Sequence, residues 1–187
     1  MKTKENLRIL SALFIPIVVT LFSTFPAIAA ETAGYEVVPC EVHAYVIDVN
    51  PSGVNVRSGP GEGYPVIALL PPVGVAPDYN DVDVMIRGSV GEWMRISDPW
   101  SSTTETKEGF EKTVGWVYGP SLGLRAKGFA PLYEEPNTES PVLVRVPHDD
   151  GGAVIGCQGE WVKVNYRGVK GWLAPGTHCG ASVTTCP

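Results

Sequence analysis

The residues that could do chemistry are few and scattered. Cys157 with His148 or His178 would make a thiolate–imidazole pair. Cys40-x-x-His43 and the adjacent His178-Cys179 offer zinc-type ligands. Glu134-Glu135 and Asp149-Asp150 are neighbouring carboxylates, and Gly59-x-Gly61-x-Gly63 looks at first like a phosphate cradle. The glycines and the His148 turn fail on spacing, and an export signal in residues 1–30 counts against thiolate chemistry or zinc ligation at the cysteines. The glycine pattern is neither G-x-G-x-x-G nor G-x-x-x-x-G-K-[ST]. It runs into PVIALL, which reads as a strand, so no helix N-terminus faces a phosphate. Adjacent loop carboxylates are ordinarily solvated and make no acid–base pair. His148-Asp149-Asp150-Gly151-Gly152 lacks a calcium-loop spacing. The expectation is a protein without catalytic residues, metal or cofactor.

The cysteines point to a compartment instead. Residues 1–8 carry Lys2, Lys4 and Arg8 against Glu5, and residues 9–22, ILSALFIPIVVTLF, are largely apolar. Small residues Ala27, Ala29 and Ala30 follow. Basic, apolar and small-residue regions in that order read as a cleaved secretory signal, residues 1–30. As a membrane anchor the run is short against the roughly 20 residues a span needs, and Pro16 and Pro26 interrupt it. An exported chain with four cysteines (Cys40, Cys157, Cys179 and Cys186) is expected to pair them, which removes Cys157 as a nucleophile. Three pairings are possible. The preferred one joins Cys157 to Cys179 and Cys40 to Cys186.

Formal net charge is −6, and the signal holds three bases against one acid, so the remainder carries −8. No Lys/Arg cluster accompanies it. That argues against nucleic acid, which needs a basic footprint, and against anionic lipid held by charge.

Aromatic side chains are the remaining binding chemistry. Tyr64, Trp93, Trp100, Tyr118 and Tyr133 are the candidate ligand-binding residues, on expected loops and strand ends. An aromatic groove with few polar partners suits peptides or sugars. Trp116 and Trp172, each after a glycine, read as packing residues.

The elements that must position these side chains are extended. Short β-branched runs such as AYVIDV (44–49), VDVMI (82–86), WMRI (93–96), VLVRV (142–146) and WVKV (161–164) are separated by Gly and Pro. Many short strands with turn signals predict a small barrel or sandwich. The chain also repeats itself. Residues 60–71, PGEGYPVIALLP, echo residues 136–147, PNTESPVLVRVP, with prolines at the same three places. GEWMRI (91–96) echoes GEWVKV (159–164), and GWV (115–117) echoes GWL (171–173). The first copy carries an inserted loop at residues 98–113 that includes Trp100 and Phe110. In the second copy a tight hairpin turns near residues 166–168, with Gly168 free to take positive φ.

VNVRSGPG (54–61), PVIALL (65–70), GEW (91–93) and GWV (115–117) together resemble the bacterial SH3-like (SH3b) domain family. The second copy is divergent: APLYEEP (130–136) replaces the NVRSGP core. The resemblance implies an all-β chain of two tandem small SH3-like barrels, residues 40–123 and 124–187. It implies a non-catalytic module in the secreted, periplasmic or extracellular space. The implied ligand is peptidoglycan or another cell-envelope polymer, by analogy of fold. The alternative is an envelope-protein partner, such as an inhibitor of an extracellular enzyme or receptor. No stable membrane span is expected after signal cleavage.

Overall fold

The computed structural model describes residues 34–72, 82–101, 110–180 and 186. The expected signal at residues 1–30 lies outside them. Residues Gly34–Pro187 form one compact unit. The described chain is all-β and antiparallel in its strand pairing, with two short 3-10 turns, Phe110–Lys112 and Gly119–Ser121.

The strands are β1 (Val38–Val46), β2 (Val54–Arg57), β3 (Val66–Leu70), β4 (Asp83–Val90), β5 (Trp93–Trp100), β6 (Gly115–Tyr118) and β7 (Leu122–Ala126). They continue as β8 (Ala130–Tyr133), β9 (Val142–Val146), β10 (Gly151–Gln158), β11 (Trp161–Tyr166), β12 (Val169–Leu173) and β13 (His178–Cys179). All belong to one sheet, ordered β3-β2-β6-β5-β4-β1-β7-β10-β11-β12-β8-β9, with β13 on β7. Outward from the central β1–β7 pair, the order is 1-4-5-6-2-3 on one side and 7-10-11-12-8-9 on the other. We call these sides arm one and arm two. The expected boundary at residue 124 falls inside β7.

The equivalence extends to single hydrogen bonds. In arm one, Ser58 N–H donates to Pro65 O, Gly61 N–H to Gly59 O and Tyr64 N–H to Gly61 O. In arm two, Glu134 N–H donates to Pro141 O, Asn137 N–H to Glu135 O and Ser140 N–H to Asn137 O. GPGEG is therefore a strand-to-strand turn, the same turn as EPNTE. Gly115 and Gly171 also correspond. A Cβ at Gly115 would lie 2.8 Å from Arg57 O, and one at Gly171 2.7 Å from Tyr133 O. The Gly-Trp landmark exists because the neighbouring strand, β2 in arm one and β8 in arm two, passes too closely for any side chain.

Alternation explains the core. β11 buries Val162, Val164 and Tyr166, and β1 buries Val42, Ala44 and Val46. Val56, Ile86, Met94 and Ile96 of arm one join Leu124, Leu132, Val154 and Leu173 of arm two in a single buried cluster. β1 ties the arms together. It pairs with β4 and β7, and beyond them Glu41 N–H donates to Gly159 O while Gly159 N–H donates to Pro39 O.

Two expectations are corrected. All four cysteines are paired, but as Cys40–Cys157 and Cys179–Cys186. The preferred pairing failed because β1 lies beside the β10–β11 turn, which brings Cys40 to Cys157. β13 meanwhile carries Cys179 along β7, where Cys186 N–H is held by Asp149 Oδ1. The inserted loop also begins later than residue 98. β5 runs on to Trp100, which pairs with Asp83, and Asp98 is accommodated at positive φ. Residues 102–109 of that loop lie outside the described residues. The arm-two hairpin turns at Arg167–Gly168, both at positive φ, as expected of Gly168.

Candidate functional site

Two clefts stand out among the described residues. The smaller, about 170 Å³, opens on arm one beside Trp93 and Tyr118. These two face each other across β5 and β6, with ring centroids 5.6 Å apart at 52°. Tyr118 is 44% exposed, so its ring is available rather than packed away. Its O–H donates to Glu92 Oε2 at 3.0 Å, and that carboxylate holds the phenol above its usual pKa. The hydroxyl is thereby fixed and the ring face is presented.

Polar groups rim the aromatic pair. Arg57, on β2, and Glu62, in the following turn, stand on one side, with Asp48 and Asn50 from the β1–β2 connection on another. Arg57 Nη1 donates to Tyr64 O at 2.8 Å, which anchors the guanidinium. Asp48 accepts from Ser121 Oγ and from Asn50 N–H, so the connection is braced against the 3-10 turn Gly119–Ser121. The arrangement is an aromatic floor with both charges and amides at its edge. It suits a ligand rich in hydroxyls and amides.

The larger cleft, about 350 Å³, lies where β1, β4 and β13 meet, and its wall includes Glu41, His43, Asp83, Lys127, Glu160 and His178. His178 Nε2 is 3.2 Å from Glu160 O. Burial pushes its pKa below the usual histidine value, and Lys127 adds to that. Glu41 is drawn to Arg87 at 3.1 Å. Among the described residues no group of three or more His, Cys, Asp or Glu is placed to hold a metal ion.

The structure brings together only some of the expected binding residues. Trp93 and Tyr118 share the arm-one cleft. Tyr64 does not line it; its ring covers Gly59, where a Cβ would collide with it, and meets Tyr35 edge-on at 6.5 Å. Tyr35 in turn packs on Trp116, which is buried as expected of a packing residue. Trp100 stands exposed at the end of β5, outside both clefts. Tyr133 lies in arm two against Trp161, centroids 5.7 Å apart. Trp172 is half-buried beneath Lys163 Nζ at 5.6 Å. Arg57, Glu62 and Asp48 were not singled out in the sequence. Arg57 and Glu62 sit in the glycine-rich NVRSGPGEG stretch, where single charges beside a turn carry no distinctive sequence signal.

Residues 128–177 match the family model of the bacterial SH3 domain. The matched segment is arm two from just before β8 to just after β12, an all-β, SH3-like stretch. The resemblance had rested mainly on arm one. Arm two keeps the repeated turn, the hairpin and the Gly-Trp strand without the arm-one insertion, so its spacing stays regular. No curated protein matches the sequence. Among solved structures the chain is similar to NlpC1 from Trichomonas vaginalis, at 15% identity and a TM-score of 0.26, covering 72% of this chain and 44% of that one. It is also similar to NlpC2 from Trichomonas vaginalis, at 14% identity and a TM-score of 0.30, covering 80% and 51%. The chain thus spans about half the length of these structures, or less.

Proposed function

We propose that this chain is an exported, non-catalytic binding module of the cell envelope that recognises peptidoglycan. In this reading the two arms are two SH3-like domains, residues 40–123 and 124–187, joined through β1 and β7. The observation that carries it is the open Trp93–Tyr118 cleft with its polar rim, in a chain whose other arm matches the bacterial SH3 domain. Two disulfides fit an extracytoplasmic, oxidising compartment. Among the described residues no helix is long and apolar enough to cross a membrane. The reading takes residues 1–30 as a removed signal, and N-terminal sequencing of the exported protein is expected to start near Glu31.

The test is sedimentation with purified peptidoglycan. The protein is expected in the pellet with the polymer and in the supernatant without it. Recovery in the supernatant under both conditions would sink the proposal.

A protein partner is the second reading. The sheet-end strands β3 and β9 favour it, because they expose Val66, Ile67 and Leu69 in one arm and Val142 and Leu143 in the other. Capture of an envelope protein that Leu69→Lys abolishes, with peptidoglycan binding absent, is the outcome that selects it.

A further inference from the structure

The two arms repeat one connectivity, yet their equivalent surfaces differ at the place where the arm-one cleft opens. The strand registers align the positions. Arg57 pairs with Trp116 and with Val66, and Tyr133 pairs with Trp172 and with Val142, so Tyr133 takes the place of Arg57. Trp93 faces Tyr118 across the β5–β6 ladder. In arm two Val162 faces Leu173, which puts Ala174 opposite Trp161. The β1–β2 connection, residues 47–53, supplies Asp48 and Asn50 to the cleft rim. Its counterpart between β7 and β8 is only residues 127–129.

We propose that, among the described residues, the aromatic ligand-binding cleft is the one in arm one, and that Tyr133 is the built-in occupant of the equivalent place in arm two. Three changes produce this. The phenol ring of Tyr133 lies edge-on against Trp161 at 74°, where arm one has the edge of an open cleft marked by Arg57. Ala174 is 6% exposed and offers no ring, so the second face of an aromatic floor is missing. The shorter connection removes the carboxylate and amide that rim arm one. Each tryptophan has an aromatic neighbour in its own arm, but Tyr118 extends the floor beside Trp93, whereas Tyr133 stands in the place that Arg57 holds at the cleft edge. Arm two, with β10 and β7 against β1, serves to hold arm one in place.

This inference rests on the peptidoglycan-binding reading, and unmutated protein tests that reading first. Sedimentation with purified peptidoglycan is measured for the full chain and for Trp93→Ala, Tyr118→Ala and Trp161→Ala, with thermal unfolding as a check on each. Truncating a central aromatic anchor is expected to lower apparent affinity at least about tenfold. Trp93→Ala and Tyr118→Ala should show that loss, and Trp161→Ala should stay within about twofold of the parent. Trp161→Phe replaces Trp161→Ala where the latter fails to fold. Equal loss in the Trp161 variant, with its unfolding midpoint retained, overturns the single-cleft inference and leaves peptidoglycan binding standing. Retained binding in both arm-one variants overturns it as well. Unmutated protein that does not sediment overturns the peptidoglycan reading, and the inference falls with it.

Discussion

Gly115 and Gly171 show how much one absent side chain can decide. Each lies where a neighbouring strand's carbonyl would come within 3 Å of a Cβ, Arg57 O in one arm and Tyr133 O in the other. Gly115→Ala and Gly171→Ala are each expected to cost about 1–3 kcal/mol, the range for overpacking a tight site. Denaturant unfolding measures it, and an unchanged midpoint would contradict the close approach. His178 gives a pH dependence of known sign. Its folded pKa is depressed by burial, against an unfolded value of about 6.5. Above that value both states are neutral and the stability is complete. As pH falls below it the unfolded chain takes the proton first, so stability declines until the folded pKa is passed. Asp150 behaves likewise in a lower window. Tyr166 O–H and Arg167 hold its carboxylate, lowering its pKa, so its contribution is lost only as pH falls below about 4. His178→Gln is expected to flatten the slope just below about pH 6.5 while leaving the acid limb. An unaltered slope in urea titrations across that range would assign the effect elsewhere.

At the scale of elements, β1 is the piece on which the arrangement turns. It pairs with both arms and is fastened to β10 by Cys40–Cys157, across 117 residues of sequence. Cys179–Cys186 closes only 7. On the chain-entropy model the long bridge contributes about 5 kcal/mol and the short one about 2 kcal/mol. Replacing Cys40 and Cys157 together by serine is therefore expected to lower stability well beyond the Cys179, Cys186 pair; the reverse order, measured by chemical denaturation, would refute the connectivity. Much of this element level was visible in the sequence. VLVRV became β9 and WVKV the start of β11 because each alternates or runs β-branched between turn signals. GGAVIGCQ was not read as a strand, since its glycines weaken the pattern. It forms β10 because β7 and β11 flank it on both edges, which no local propensity records.

For the whole molecule, the shared cluster of buried residues and the β1–β7 pairing predict a single unfolding transition for the folded unit. Buried polar contacts across the arms agree: Ser89 Oγ donates to Cys157 O and accepts from Cys157 N–H. Calorimetry and circular dichroism are expected to give coincident midpoints. Two separated transitions would show that each arm melts alone. Among the candidate binding residues, Trp93 and Tyr118 were legible as aromatics, but not as a pair set apart from Tyr64, Trp100 and Tyr133. Residue type marks a side chain that can stack. Whether it faces a ligand, a glycine or another ring depends on which strands lie beside it.

The amino-acid sequence by itself determined the all-β class, the repeated turn and Gly-Trp landmarks, and the pairing of every cysteine with another. These follow from local chemistry: alternation and turn residues act over a few residues, and an even number of cysteines is a matter of composition. Only the tertiary structure decided the cysteine partners, the continuous sheet through β1 and β7, and the open cleft on one arm. Those depend on strands far apart in sequence lying side by side. The difference between Arg57 and Tyr133 acquires its meaning only when the registers place both at the same point of the two arms.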